Sequence, residues 1–122
     1  MIDHFNLPIS DLVRSRSFYE RVLEPLGFGF IAQDGQAIGF GNANWSFGIV
    51  ATPPPLPSLH LAFVAASRAA VDRFYEAALS LGSRSNGPPG LRSEYDPDYY
   101  AAFVVDPDGH NIEAVCRRRV AA

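Results

Sequence analysis

The chain has 122 residues with a formal net charge of −3, and 48 % of its residues are hydrophobic and 19 % charged. This length fits one domain, and the composition is that of a globular chain rather than a disordered one. The acidic balance argues against nucleic acid or a membrane surface as a partner. No apolar run approaches the roughly 20 residues that span a bilayer. Cys116 is the only cysteine, so no internal disulfide forms, and we expect a cytoplasmic protein.

The first half of the chain predicts a strand, a helix and three more strands. Residues 4–9 have the character of a short strand, and Ser10 or Asp11 can cap the helix that follows. Apolar residues then recur at helical spacing until Gly27, a residue of the type that ends a helix. Strand-like runs separated by hairpin signals follow at residues 28–33, 36–41 and 45–51.

A proline-rich spacer, residues 52–57, separates this half from a second one with the same order. His60–Val64 predicts a strand, and Ser67 can cap a helix that ends at Gly82. Residues 85–90 are so rich in glycine and proline that we expect only a loop there. The last strand-like runs flank a type I turn and cover residues 99–106 and 110–116.

A repeat is visible in the spacing of the two halves. Phe18-Tyr19-Glu20 begins 14 residues after His4, and Phe74-Tyr75-Glu76 begins 14 residues after His60. Such self-similarity indicates a duplicated unit, and the aromatic pairs are expected in the core. We therefore predict an α+β fold in which two βαβββ modules form a cupped mixed sheet. The modules are residues 1–52 and 57–116 of a single domain spanning 1–122.

Three residues form a candidate metal site. Alternation along a strand places His4 and His60 opposite the bulky residues of their strands, so both histidines point to the concave face. Glu113 lies in the apolar last strand, where an unpaired carboxylate is costly and needs a cation or strong hydrogen bonds. Two imidazoles and one carboxylate describe the facial triad of non-haem iron, and the same set can hold Mn, Ni, Co or Zn. The alternatives are hydrogen-bonded histidines and a glutamate paired with an arginine.

A second cluster stands between the glycine-rich segment and the penultimate strand. Arg92, Tyr95 and Tyr100, with Tyr99 among them, can bind an anionic substrate or move a proton. We therefore name Arg92, Tyr95 and Tyr100 as candidate catalytic residues. The alternative is that the tyrosines pack against the sheet while Arg92 pairs with a nearby carboxylate. His110, which follows the turn, is expected to face solvent or to lie behind the metal ligands.

Three segments resemble the signatures of the vicinal oxygen chelate superfamily, which includes glyoxalases, bleomycin-resistance proteins and extradiol dioxygenases. They are the opening residues 4–12, the Ser17-Phe18-Tyr19 that follows and the closing residues 106–113. The likeness spans almost the whole chain. It implies paired βαβββ modules forming a cup, a divalent metal at its base, and often a dimer that completes the site. Matched residue by residue, it puts the metal ligands on His4, His60 and Glu113.

Many members of this superfamily carry a fourth ligand on the last strand of the first half. That strand falls at residues 45–50 here, and it contains no metal ligand of the usual kind. This departure counts against a site of the glyoxalase I type. It leaves relatives with three ligands, such as the dioxygenases and the fosfomycin-modifying transferases.

These residues predict a divalent-metal-dependent enzyme of the glyoxalase or dioxygenase type, acting on a small oxygenated substrate that the metal chelates. The alternative is a metal-free protein of the bleomycin-resistance type, which binds and sequesters a small molecule in the same cup. The sequence contains no lysine to protect its sheet edges, so we also predict a homodimer.

Overall fold

The structure, a computed structural model, describes residues 1–119. The end of the predicted domain, residues 120–122, lies outside them. Within the described part no helix is long and apolar enough to cross a membrane. Two α-helices and eight strands follow one another there: β1 (Phe5–Ile9), α1 (Leu12–Leu23), β2 (Gly29–Asp34), β3 (Ala37–Gly41), β4 (Phe47–Ala51), β5 (His60–Val64), α2 (Arg68–Ser80), β6 (Ser85–Leu91), β7 (Tyr100–Val105) and β8 (Asn111–Cys116).

The strands form two four-stranded sheets, one from each half of the chain. Their strand orders are β1-β4-β3-β2 and β5-β8-β7-β6, so the two halves have the same topology. In each sheet the first strand pairs parallel with the last, and the other pairs are antiparallel. The prediction of an α+β fold with two βαβββ modules is confirmed. We call β1–β4 with α1 the first module, and β5–β8 with α2 the second module.

The two helices begin and end alike. Each has a side-chain cap, because Asp11 and Ser67 accept a hydrogen bond from the backbone amide three residues further on, at 3.1 and 3.0 Å. A glycine in the left-handed region ends each helical segment: Gly27, with φ 85°, follows the 3-10 turn Glu24–Leu26 that continues α1, and Gly82, with φ 88°, stands two residues after α2. A residue with a Cβ is disfavoured in this conformation, so glycine fits the helix end.

The expectation of a loop at residues 85–90 is wrong, because these residues belong to β6. This strand lies at the edge of the second sheet and pairs only with β7. Proline has no amide hydrogen to donate, which is tolerated at an edge strand because one side of the strand has no ladder to complete. Pro88 and Pro89 lie where the register shifts between Gly87 and Gly90. Glycine and proline therefore mark an irregular edge strand here.

One apolar core is shared by both sheets and both helices. Leu7 of β1 and Ile112 of β8 are fully buried in it, and the rings of Phe47 and Phe63 meet across it with centroids 5.0 Å apart. Each sheet therefore turns one face to the shared core and the other face away from it. We call the second one the open face of each sheet, and Val64 of β5 is 81 % exposed there.

Two buried polar contacts connect the modules. Tyr19 of α1 donates to the Asp106 carboxylate at 2.6 Å, and that carboxylate also accepts from two backbone amides. The Nδ1 atom of the fully buried His110 accepts from the Leu59 amide, so its Nε2–H donates to the carbonyl of Pro8 at 2.8 Å. His110 thus does not face solvent, because its ring joins the second module to β1.

Replacing Tyr19 by phenylalanine removes the hydroxyl that joins α1 to Asp106. The buried carboxylate then loses one of three donors, and we expect the free energy of unfolding to fall by about 1–3 kcal/mol. Tyr75, its counterpart in the repeat, is half-buried and makes no hydroxyl hydrogen bond within residues 1–119, so Tyr75→Phe is the matched control. Urea unfolding measures both variants. Equal losses would contradict the role given to the Tyr19 hydroxyl.

Candidate functional site

Glu113 lies on the open face of the second sheet. It stands within β8 and is paired with Ala62 of β5 on one side and Phe103 of β7 on the other. Ile112 and Ala114 are buried in the core, so alternation turns the Glu113 carboxylate to the opposite face. Only 2 % of Glu113 is exposed. A carboxylate buried this deeply requires strong partners.

Two partners hold Glu113, one on each oxygen. Oε1 lies 3.0 Å from Nε2 of His60, and the Tyr99 hydroxyl donates to Oε2 at 2.5 Å. His60 begins β5 and Tyr99 directly precedes β7, so the two neighbours of β8 in the sheet supply the two partners. The side chain of His60 is half-exposed, which leaves the site open on the histidine side.

A second contact orients the His60 ring and decides what its Nε2 atom can do. Nδ1 lies 3.2 Å from the backbone carbonyl of Asn111, and because a carbonyl only accepts, Nδ1 carries the hydrogen. In a neutral ring, Nε2 then has a lone pair, and it faces the Glu113 carboxylate. Two acceptors at 3.0 Å require a proton between them, on Nε2 or on the carboxylate, or a cation bound by both. A ring nitrogen bonded to a main-chain carbonyl is the usual arrangement behind a metal-binding imidazole.

Tyr99 is a hydrogen-bond donor over the whole physiological pH range. Burial raises its pKa to about 12, and the hydrogen bond to Glu113 adds to this effect. Ionising the phenol would place a second negative charge beside the carboxylate. The hydroxyl therefore stays protonated and holds Oε2, which leaves Oε1 for His60 or for a cation.

A cavity of about 410 Å³ opens beside Glu113. Tyr95 is 65 % exposed, and its ring meets the Tyr99 ring edge-on, with centroids 5.1 Å apart. The Arg117 guanidinium lies 4.7 Å from the centroid of the same Tyr99 ring. The cavity offers aromatic surface and one arginine next to an imidazole and a carboxylate, which suits a small polar ligand. Its lining residues are His60, Tyr95, Tyr99, Phe103, Asn111, Glu113 and Arg117.

His4 belongs to the open face of the first sheet, away from this cavity. Its side chain is 55 % exposed, and its Nδ1 lies 2.8 Å from the carboxylate of Asp3. Among residues 1–119, no three His, Cys, Asp or Glu side chains are grouped closely enough to hold a metal ion. One chain therefore brings His60 and Glu113 together and does not add His4 to them.

The three candidate catalytic residues lie in different places. Tyr95 lines the cavity. Arg92 donates to the carbonyls of Pro88 and Gly90, at 2.7 and 2.9 Å, and so holds the backbone of β6, the strand that it directly follows. Tyr100 packs against the shared core and donates to the carboxylate of Asp72 in α2 at 2.6 Å.

Tyr99 and Asn111 are the site residues that the sequence analysis did not select. Alternation separates Tyr99 from Tyr100, so only one of these adjacent tyrosines can share a face with Glu113. Every second residue shares a face, so Tyr99 lies on the same face as Phe103, the partner of Glu113. This relation is evident only once the register of β7 and β8 is known. No side-chain pattern marks the Asn111 carbonyl, because its direction depends on how β8 pairs with β5.

Tyr99→Phe tests the raised pKa of Tyr99. Between about pH 10 and pH 12 only the unfolded chain loses this proton, so the Tyr99 contribution to the free energy of unfolding is full below pH 10 and falls as the pH rises. Urea unfolding across this range should show a steeper decline for the wild type than for Tyr99→Phe. Tyr95→Phe, which keeps the Tyr99–Glu113 bond, should retain this contribution. Parallel declines of the wild type and Tyr99→Phe would contradict the assignment.

Comparison with known proteins gives a family and a closely similar structure. The family model of the Glyoxalase/Bleomycin resistance protein/Dioxygenase superfamily matches residues 1–114. A search of curated proteins returned no match to the chain. A glyoxalase/bleomycin resistance protein from Albidiferax ferrireducens T118 is 28 % identical, with a TM-score of 0.82 over 93 % of this chain and 96 % of that chain.

Two more distant structures share the fold. Lactoylglutathione lyase from Agrobacterium tumefaciens is 19 % identical, with a TM-score of 0.68 over 95 % of this chain and 92 % of that chain. A mutant of the genomically encoded fosfomycin resistance protein FosX from Listeria monocytogenes, complexed with Mn(II) and 1S,2S-dihydroxypropylphosphonic acid, is 20 % identical. Its TM-score is 0.70 over 94 % of this chain and 88 % of that chain. Because the family model covers nearly the whole sequence and the fold agrees, this chain belongs to the Glyoxalase/Bleomycin resistance protein/Dioxygenase superfamily.

Proposed function

We propose that this chain is a divalent-metal-dependent enzyme of the glyoxalase or dioxygenase type, acting on a small oxygenated substrate that the metal chelates. The observation that carries the proposal is the His60–Glu113 pair. The Nδ1 atom of His60 is engaged by the Asn111 carbonyl, so that Nε2 and a carboxylate oxygen face each other. One imidazole and one carboxylate arranged in this way suit Fe, Mn, Ni, Co or Zn.

A second copy of the chain completes this proposed site, with His4 of one chain meeting His60 and Glu113 of its partner. Each open face carries a different part of the ligand set, and the shared core lies between the two faces of one chain. The open faces also leave apolar side chains in solvent, such as Val64. A symmetric homodimer that pairs the first module of each chain with the second module of the other covers both faces and forms two sites.

In this proposal the metal supplies Lewis acidity to neighbouring substrate oxygens when it is bound. Tyr99 fixes the Glu113 carboxylate by donating to Oε2. Tyr95 stands in the cavity wall, where its hydroxyl can bind the substrate or transfer a proton to it. Arg92 and Tyr100 act as positioning residues. The Arg92 guanidinium lies over the Phe103 ring and so connects β6 with β7, and the Tyr100 hydroxyl connects β7 with α2.

Two structural neighbours support this class of function. The FosX structure is a complex with Mn(II), a divalent metal, and with 1S,2S-dihydroxypropylphosphonic acid, a small oxygenated molecule. The Agrobacterium tumefaciens neighbour is a lactoylglutathione lyase. Both are under 25 % identical to this chain and show its fold, so a metal and an oxygenated substrate enter here as part of the proposal.

The second candidate function is that of a metal-free protein of the bleomycin-resistance type, which sequesters a small molecule. One observation favours it. With a proton on Nε2, His60 and Glu113 satisfy each other directly at 3.0 Å, and the buried carboxylate then needs no metal. The cavity beside Tyr95 and Arg117 would in that case bind a ligand without reacting with it.

Calorimetric titration of chelator-treated protein with Zn²⁺ or Mn²⁺ separates the two candidates. We expect about one ion per chain, and at least a roughly ten-fold loss of affinity in His60→Ala and in Glu113→Gln, because each removes a ligand. Glu94→Gln, which changes an exposed carboxylate outside the cavity, is the control and should bind like the wild type. Wild-type binding no tighter than that of Glu113→Gln would exclude the enzyme and leave the sequestering protein.

The affinity for metal should also fall as the pH is lowered, because protons compete with the metal for the imidazoles and the carboxylate. The same titration repeated at about pH 7.5 and about pH 5.5 measures this dependence. An affinity that does not change with pH would argue against histidine ligands.

Mixing two variants that each lack one metal ligand tests whether the metal site is shared between chains. His4→Ala and Glu113→Gln each damage both sites of a homodimer, but a mixed dimer contains one site with all three ligands. Refolding the two variants together should therefore restore roughly a quarter of the wild-type metal sites. If one chain supplied all the ligands, no mixture would recover any site. Light scattering of the wild type should give the mass of a dimer, and a monomer at high micromolar concentration would refute the shared site.

A further inference from the structure

The Trp45 ring lies flat on the backbone of the first sheet. It covers Gly39 of β3 and Gly48 of β4, which are paired with each other. A Cβ atom at Gly39 would collide with the atoms of the indole ring, and a Cβ at Gly48 would stand 2.6 Å from its Nε1. Both positions therefore require glycine, because no side chain fits between the backbone and the ring.

A hydrogen bond fixes the orientation of this ring. The Trp45 Nε1–H donates to the side-chain oxygen of Asn6 at 2.9 Å. Asn6 alternates with the buried Leu7 and lies two residues after His4, so it shares the open face with His4. The polar edge of the indole is thus satisfied within the sheet, and the ring stands beside the proposed metal ligand of the first module.

The repeat shows which residue of the second module corresponds to the position that the Trp45 ring covers. Asn6 pairs with Gly48 in the first sheet, and Ala62, which follows His60 as Asn6 follows His4, pairs with Glu113 in the second. Gly48 therefore corresponds to Glu113. Where the second module places a carboxylate, the first module places a bare backbone covered by an aromatic ring.

These contacts do not bury Trp45 completely. One face rests on the glycines and the N–H is bonded, yet the residue remains partly exposed. A rigid, oriented aromatic face beside a metal ligand favours a flat group, because π-systems stack face to face with an offset. A substrate with only aliphatic groups next to its oxygens would gain contact with this face but no stacking.

We infer that Trp45 is a stacking platform for the substrate, which carries a planar, conjugated group attached to the two oxygens that bind the metal. This inference rests on the proposed function and on the site shared by two chains. It names a specificity-determining residue and the class of substrate that the site selects.

Two hydroxamates provide matched probes, because both chelate a metal through two oxygens and differ mainly in the ring. Benzohydroxamate has a planar ring, and cyclohexanecarbohydroxamate has a puckered one of similar size. Calorimetry on zinc-loaded protein should show that Trp45→Leu weakens benzohydroxamate about three- to ten-fold and cyclohexanecarbohydroxamate less than about two-fold. Trp45→Phe, which keeps an aromatic face, should retain most of the benzohydroxamate affinity. Phe30→Leu, which removes a 45 % exposed ring outside the cavity, is the control and should not change the ratio of the two affinities.

Trp45 is the only tryptophan in the chain, so its fluorescence reports directly on ligands that reach it. Benzohydroxamate should quench this emission more strongly than its saturated analogue at equal occupancy. Equal quenching by the two probes, an affinity ratio that Trp45→Leu leaves unchanged, or a ratio lost in Phe30→Leu would overturn the inference.

The zinc titration distinguishes this failure from failure of the proposed function. If zinc binds but the two probes do not differ as expected, the proposed metal site stands and the role of Trp45 as a stacking platform is refuted. If zinc does not bind, the enzyme proposal falls. The inference about a metal-bound planar substrate then falls with it.

Discussion

The shared core is the constraint on which the rest of the structure depends. Apolar side chains alternate along β1 and β8, so each sheet has one face that must be buried, and both faces are buried against the same two helices. Burial of each large apolar side chain stabilises the fold by roughly 1.5–3 kcal/mol, and the core contains many such side chains. Turning His4 and His60 toward each other within one chain would expose this surface. The polar faces of the two sheets are therefore directed away from the core, each with its own histidine.

Within residues 1–119 two carboxylates are buried, and their partners give them different properties. Asp106 accepts from Tyr19 and from two backbone amides, all of them neutral donors that no ligand can displace without unfolding a turn. Glu113 accepts one neutral hydroxyl, from Tyr99, and shares its other oxygen with the half-exposed His60. The first is a structural acid that holds the modules together. The second has one oxygen whose partner is a half-exposed side chain that a ligand can replace. This is a property of a candidate binding residue, and Asp106 does not have it.

Much of the fold was predictable from local patterns. The spacing from each histidine to its aromatic pair revealed the repeat, and alternation and capping residues located β5 and the starts of both helices. β6 was missed because its glycines and prolines are also the residues of loops, and only pairing with β7 makes them a strand.

The site was predictable in part, for physical reasons. The position of Glu113 in an apolar strand was enough to mark it, because a buried charge needs a partner. Tyr99 could not be separated from Tyr100 without knowing which residue of β7 lies opposite Glu113. The separation of His4 from Glu113 within one chain follows from how the two sheets pack on the shared core, and the sequence has no periodic signal for that packing.

The irregular edge strand β6 has a consequence for the colloidal behaviour of the protein. A regular edge presents a row of free amides and carbonyls to which strands of other molecules can add without limit, as in amyloid growth. Pro88 and Pro89 remove two amides from β6, and Arg92 occupies the carbonyls of Pro88 and Gly90. In a chain without lysine, these prolines and this arginine make the edge of β6 less regular for a strand of another molecule to add to.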